Sequence, residues 1–135
     1  VTAKHQPSRL VLRTLSEVDR AYLAGIIDGE GSIGRGARRT VWQVHVANTD
    51  RALIEWLLLI GGNARVVAPP PPRLGSPLRD PKRPYKTCWT WRIWRGNEVL
   101  DLLLAVRPYL RIKAAKADNA IGDLTARIAP ERRTA

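Results

Sequence analysis

A chain of 135 residues, 44% of them hydrophobic and 26% charged, can bury one core of ordinary size and leaves little room for a second, so wholesale disorder is excluded and a single compact domain is expected. Lys and Arg number 23 against 12 Asp and Glu, a formal net charge of +11, which predicts a polyanionic partner, nucleic acid ahead of an anionic membrane, without separating DNA from RNA. Cys88 stands alone, which rules out an intrachain disulfide and argues against structural zinc; the apolar runs 53–60 and 99–106 are each interrupted by an acid and too short for a membrane span, and no convincing signal peptide precedes them, so a soluble, intracellular protein is expected.

Residues 1–15 read as an arm, 16–128 as one domain and 129–135 as a tail. Ser16 with Asp19 opens a helix in the manner of a capping box, and an apolar run carries it to Asp28, where Gly29 and Gly31 end it. Two short strands fit residues 32–47, with Arg38, Arg39 and Thr40 as the turn. In the second strand Trp42, Val44 and Val46 share one face, and Val41, Gln43 and His45 the other.

Asn48, Thr49 and Asp50 offer a cap for a helix bearing Leu53, Ile54, Trp56, Leu57 and Ile60, closed by Gly61 and Gly62. A third strand fits 63–68, Arg65 outward and Val66 inward, before the prolines at 69–72 break regular structure. The basic loop that follows, with Arg73, Arg79, Lys82 and Arg83, either tracks a phosphate backbone or is a plain linker. Trp89, Trp91 and Ile93 then alternate with Thr90 and Arg92 as a strand should; Trp89 and Trp91 read as core, and Trp94 fits either side. Helices over 97–107 and 112–128, parted at Pro108, complete a mixed α+β order in which helices cover one face of an antiparallel sheet and the other face is left for a ligand.

The chemistry concentrates in Leu23-Ala24-Gly25-Ile26-Ile27-Asp28-Gly29-Glu30-Gly31, followed by Ser32-Ile33. Ala21, Gly25 and Gly29, spaced by four, make a side-chain-poor stripe that a second helix can approach closely. The same helix ends in two carboxylates beside the negative end of its dipole, the outline of a cation site. Pairing two such helices would gather the hard oxygen ligands that metal-assisted phosphodiester hydrolysis needs. A glycine C-cap and ordinary Gly-x-x-x-Gly packing are the plain alternatives for any one piece; the whole nine-residue string in a basic chain favours the functional reading.

That string resembles the motif of the LAGLIDADG homing endonucleases. The resemblance spans roughly residues 19 to 126 and is specific at the motif helix and around Lys113. It implies a homing-endonuclease-like αββαββα domain with a saddle-shaped antiparallel sheet. A single motif implies a homodimer, with Ala21, Ala24, Gly25 and Asp28 at the helix pair. The implied activity is site-specific double-strand cleavage of a long, near-palindromic DNA target with Mg²⁺, for which Mn²⁺ can substitute, in proteins associated with introns.

By the same resemblance Glu30 is a catalytic metal ligand and the Gly29 carbonyl a second one, while Asp28 shapes the helix end. The family usually has Asp where this chain has Glu30, so the carboxylate reaches one bond farther. Pro108-Tyr109-Leu110-Arg111-Ile112-Lys113 resembles the segment that delivers a catalytic lysine, making Lys113 the group that stabilises phosphate charge or activates water; a solvated lysine at a helix start is the plain alternative. Asn48 matches a position that holds catalytic water and is equally a cap, and Arg51 is a weaker pocket candidate. Arg35, Arg38, Gln43, His45, Arg65, Lys86 and Arg92 extend the outer sheet face as DNA contacts, with a solvated basic face as the alternative. Two other functions compete: a catalytically silent binder of this fold, such as an intron maturase gripping RNA or a transcriptional regulator, and a basic structural RNA-binding protein.

Overall fold

The computed structural model describes residues 12, 14–36, 41–67 and 86–133. Helix α1 (Glu17–Glu30) leads into strands β1 (Gly31–Arg35) and β2 (Trp42–Asn48), then helix α2 (Arg51–Ile60) and strands β3 (Asn63–Val67) and β4 (Cys88–Ile93). Helix α3 (Gly96–Val106), a 3-10 turn (Arg107–Tyr109) and helix α4 (Ala114–Arg133) follow. The strands form one sheet in the order β1-β2-β4-β3, every pair antiparallel. This is the expected α+β order. The turn at 37–40 and the proline-rich basic loop lie outside the described residues, and no described helix is long and apolar enough to cross a membrane.

Local chemistry sets the helix ends. The Ser16 hydroxyl accepts the Asp19 N–H at 3.1 Å, and Glu17 and Asp19 place acids at the positive end of α1, as capping and the helix dipole favour. The helix runs two residues past the Asp28 end expected from the glycines. One internal glycine costs about 1 kcal/mol of helix propensity, too little to stop a helix whose Leu23, Ala24 and Ile27 are fully buried. It stops at Gly31, where a Cβ would lie 2.8 Å from the Ile27 Cα and 2.9 Å from its carbonyl oxygen.

Of the three candidate caps for α2, Asp50 does the work: its carboxylate accepts the Leu53 N–H at 3.0 Å. The far end turns through Gly61 and Gly62, both at positive φ. At Gly62 a Cβ would collide with the Arg92 carbonyl oxygen, so only glycine fits.

The helices cover one sheet face. Trp42, Val44 and Val46 of β2 and Trp91 and Ile93 of β4 are buried against Leu23, Ile27, Ile54, Leu57, Val99 and Leu103. Leu12 is also buried in this core, so packing begins ahead of Ser16. Val66 corrects an expectation: strand alternation sets it on the helix side with Ala64, but it is 63% exposed. It lies on the edge strand β3, where helix cover stops short.

Trp91 shows how core and turn are joined. The side chain is fully buried and its Nε1–H donates to the Gly61 carbonyl at 2.8 Å, stitching β4 to the end of α2. Trp91→Phe keeps an aromatic ring but removes volume and orphans that carbonyl. The expected loss is about 1–3 kcal/mol of unfolding free energy, read from urea denaturation followed by far-UV circular dichroism.

Candidate functional site

The outer sheet face is assembled by register. Ser32 of β1 lies opposite His45 of β2, His45 opposite Arg92 of β4, and Arg92 opposite Asn63 of β3. Gln43, His45, Thr90, Arg92 and Arg65 therefore share the side away from the helices. The Arg92 guanidinium lies over the Trp94 ring, 5.4 Å from its centre, a contact that fixes the cation without neutralising it. Burial first, and the neighbouring Arg92 second, push the His45 pKa below its ordinary value. His45 at neutral pH is thus an uncharged donor and acceptor, suited to a base edge more than to a phosphate.

Arg35 does not belong to this face. It pairs with Trp42 at the end of β1, so alternation turns it to the helix side. Its guanidinium lies 4.9 Å from the Trp42 ring centre and 3.4 Å from the Asp123 carboxylate. Asp123 also accepts the Trp42 indole N–H at 2.6 Å and an ion pair from Arg127. The Trp42 hydrogen bond holds the Asp123 carboxyl below its usual range, against an upward push from burial, with Arg127 and Arg35 adding to the lowering. This knot tying α4 to the β1–β2 pair was not foreseen, because no local pattern links residues 81 and 88 positions apart. Lys86 is exposed two residues ahead of β4, and Arg38 lies outside the described residues.

A different surface holds the acids. Ala21, Gly25 and Asp28 line a shallow groove with Pro108, Tyr109 and Arg111. Among the described residues, a Cβ added at Gly25 or at Gly29 would meet nothing within 4 Å, so neither glycine is demanded by packing against them. Val18 and Tyr22 continue the exposed side of α1, Tyr22 standing edge-on to Trp56 at 5.4 Å. Ala24, expected on this side, is instead wholly buried with Leu23 and Ile27: the 100° step of the helix carries it to the core face.

Asp28 binds inward. Its carboxylate accepts the Arg111 N–H at 2.8 Å and the Lys113 N–H at 3.0 Å. Burial pushes its pKa up, but amide hydrogen bonds from Arg111, Lys113 and Ile112 and the Lys113 charge outweigh that and hold it low. The Lys113 ammonium donates to the Asp28 carbonyl oxygen at 2.6 Å. The candidate lysine is thus brought to the end of the helix that carries Gly29 and Glu30.

Glu30, the last residue of α1, is exposed. Among the described residues no three His, Cys, Asp or Glu gather as a metal cage. With Asp28 occupied by amides, one chain offers a divalent cation the Glu30 carboxylate and backbone oxygens. Those donors suit Mg²⁺ in kind but make half a site in number.

Asn48 lies two residues beyond Val46, the partner of Gly31, and so at the sheet end where α1 stops. Its side-chain oxygen accepts the Asp50 N–H at 2.8 Å, an Asx turn preceding the Asp50 cap. The Asn48 NH₂ and the second lone pair of its oxygen remain able to bind a water. Arg51 pairs with Glu55 at 3.0 Å on the exposed side of α2.

Residues 17–60, from α1 through α2, match the family model described as a LAGLIDADG-like domain. Among solved structures the fold is similar to that of the homing endonuclease I-CvuI in complex with the I-CreI target in 2 mM Mg, where the DNA is not cleaved. The TM-score is 0.59 at 17% identity, covering 81% of this chain and 67% of that one. I-CvuI with its own target in 2 mM Ca gives a TM-score of 0.58 at the same identity and coverage. No curated protein matches the sequence.

Proposed function

We propose that this chain, whose residues 17–60 match the LAGLIDADG-like domain, is a member of the LAGLIDADG family and one subunit of a homodimeric, Mg²⁺-dependent endonuclease that cuts both strands of a near-palindromic DNA site, with Mn²⁺ able to replace Mg²⁺. The observation that carries this reading is the open stripe on α1, with Gly25 and Gly29 unfilled by any described residue and Glu30 and Lys113 at its tip. Two helices meeting along that stripe bring two copies of Glu30 together, completing an oxygen ligand set that one chain only begins. A bound cation there would polarise the phosphoryl oxygens and lower the pKa of water.

The chain's own residues divide the remaining tasks. The Lys113 ammonium faces the charge that develops on the phosphate. The Asn48 NH₂ holds a water at the same end of the sheet. Gln43 and His45 read base edges, and Arg65 and Arg92 meet the duplex beside them. Lys86 adds a phosphate contact before β4. Two-fold symmetry presents this surface twice, which is why the preferred site should be nearly palindromic. I-CvuI likewise holds target DNA in both of its complexes.

The test is incubation of the purified protein with a randomised duplex library in Mg²⁺ and, separately, in Ca²⁺. Double-strand cuts at one near-palindromic sequence, in Mg²⁺ only, are expected. Tight binding to DNA or RNA without cutting in either ion would overturn the nuclease reading in favour of a silent binder on this scaffold.

A further inference from the structure

We infer that Asp28 is a positioning residue that fixes the Lys113 ammonium at the tip of α1; the inference rests on the reading that Lys113 and Glu30 serve one phosphodiester. The contact runs in both directions. The Asp28 carboxylate takes the main-chain N–H of Lys113, while the Asp28 carbonyl takes the Lys113 side chain. Two residues 85 positions apart are thereby joined through main chain and side chain at once, which determines both where the lysine backbone sits and where its charge points.

The rest of the segment is held as well. The Arg111 N–H binds the second carboxylate oxygen of Asp28. Tyr109, whose hydroxyl pKa is raised first by burial and then by the Glu17 carboxylate, lies beside the opposite end of α1. The stretch from Tyr109 to Lys113 therefore runs along the helix and is tied to it at Asp28. An acid before the first turn of α4 also suits that helix's dipole. The two motif acids then have separate duties: Glu30 is exposed and open to a cation, whereas Asp28 is consumed by amides and acts only through Lys113. Lysine is otherwise a flexible point charge, whose effect on a phosphate depends on being held.

Asp28→Asn leaves one acceptor atom and sets an NH₂ against a main-chain N–H, so the clamp opens. On the target recovered from the library, single-turnover rates at saturating protein and Mg²⁺ should fall roughly 10- to 100-fold in Asp28→Asn and in Lys113→Met, the range typical of a lost orienting partner. The double variant should be no slower than Lys113→Met. Losses that multiply would overturn the inference.

A second measurement needs no variant: acylation of lysine amines in the wild-type protein, resolved by peptide mass spectrometry. Lys113 should react several-fold more slowly than the exposed Lys116 one turn along α4, and Asp28→Asn should erase that difference. Equal rates at the two lysines in the wild type would sink the clamp even if the protein cuts DNA. A protected Lys113 in a protein that binds without cutting would uphold the clamp and sink the nuclease reading.

Discussion

Glu30→Gln is expected to abolish cleavage, slowing it by about 10³-fold or more, while leaving DNA binding intact. The substitution keeps the shape of the side chain and removes its charge. A divalent ion contributes several kcal/mol of charge stabilisation in phosphoryl chemistry, and each 1.36 kcal/mol is a factor of ten in rate, so loss of an anionic ligand reaches that range. Binding should survive because Gln43, His45, Arg65 and Arg92 lie on the outer sheet face by strand register, whereas Glu30 ends α1. Glu30→Asp supplies the contrast: it restores the residue the family usually carries, and cutting should persist with altered metal preference. Single-turnover cleavage in Mg²⁺, beside gel-shift binding in Ca²⁺, separates the two effects. Cutting by Glu30→Gln within tenfold of the wild type would remove Glu30 from the metal site.

The fold was legible because its signals are local and periodic. Alternation at Trp42, Val44 and Val46 and at Trp89, Trp91 and Ile93 identifies β2 and β4, the central strands whose inner residues are buried, Trp89 only in part. Ser16 marks a helix start through its side-chain hydroxyl, and Gly61 a helix end through its backbone freedom. Other features escaped because they depend on neighbours far away in sequence. The sign of Arg35 depends on which residue of β2 it faces, and facing Trp42 turns a candidate phosphate contact into a structural cation. Ala24 is as small as Ala21, so size alone could not assign it to the buried side of α1.

Val66 kept its predicted orientation and lost its predicted burial, because periodicity gives the face of a strand and says nothing of what covers it. At the tip of α1, the motif suggested two similar carboxylates. Hydrogen bonds to residues 83 and 85 positions away make one of them a structural acceptor. A pattern of residue types therefore located the site, but only tertiary contact could divide its labour.

Gly25→Leu should stabilise the folded subunit and destroy the enzyme, a pairing of opposite signs that tests the mode of assembly directly. Among the described residues nothing lies within 4 Å of a Cβ at this position, and the residue is an ordinary interior member of α1. Replacing glycine there raises helix propensity by about 0.5–1 kcal/mol, so the thermal midpoint of the monomer should rise by a few degrees for a domain of this size. If α1 is packed against its two-fold mate, each added side chain enters the gap between the helices, and symmetry imposes the clash twice. Sedimentation should then show a monomer where the wild type is a dimer, and double-strand cleavage should disappear because the two copies of Glu30 no longer meet. Gly31→Ala serves as the counter-case: its Cβ would press on the Ile27 backbone, so stability should fall. A Gly25→Leu protein that remains dimeric and cuts both strands would show that the subunits pair through some other surface, and the open stripe on α1 would then need a different partner.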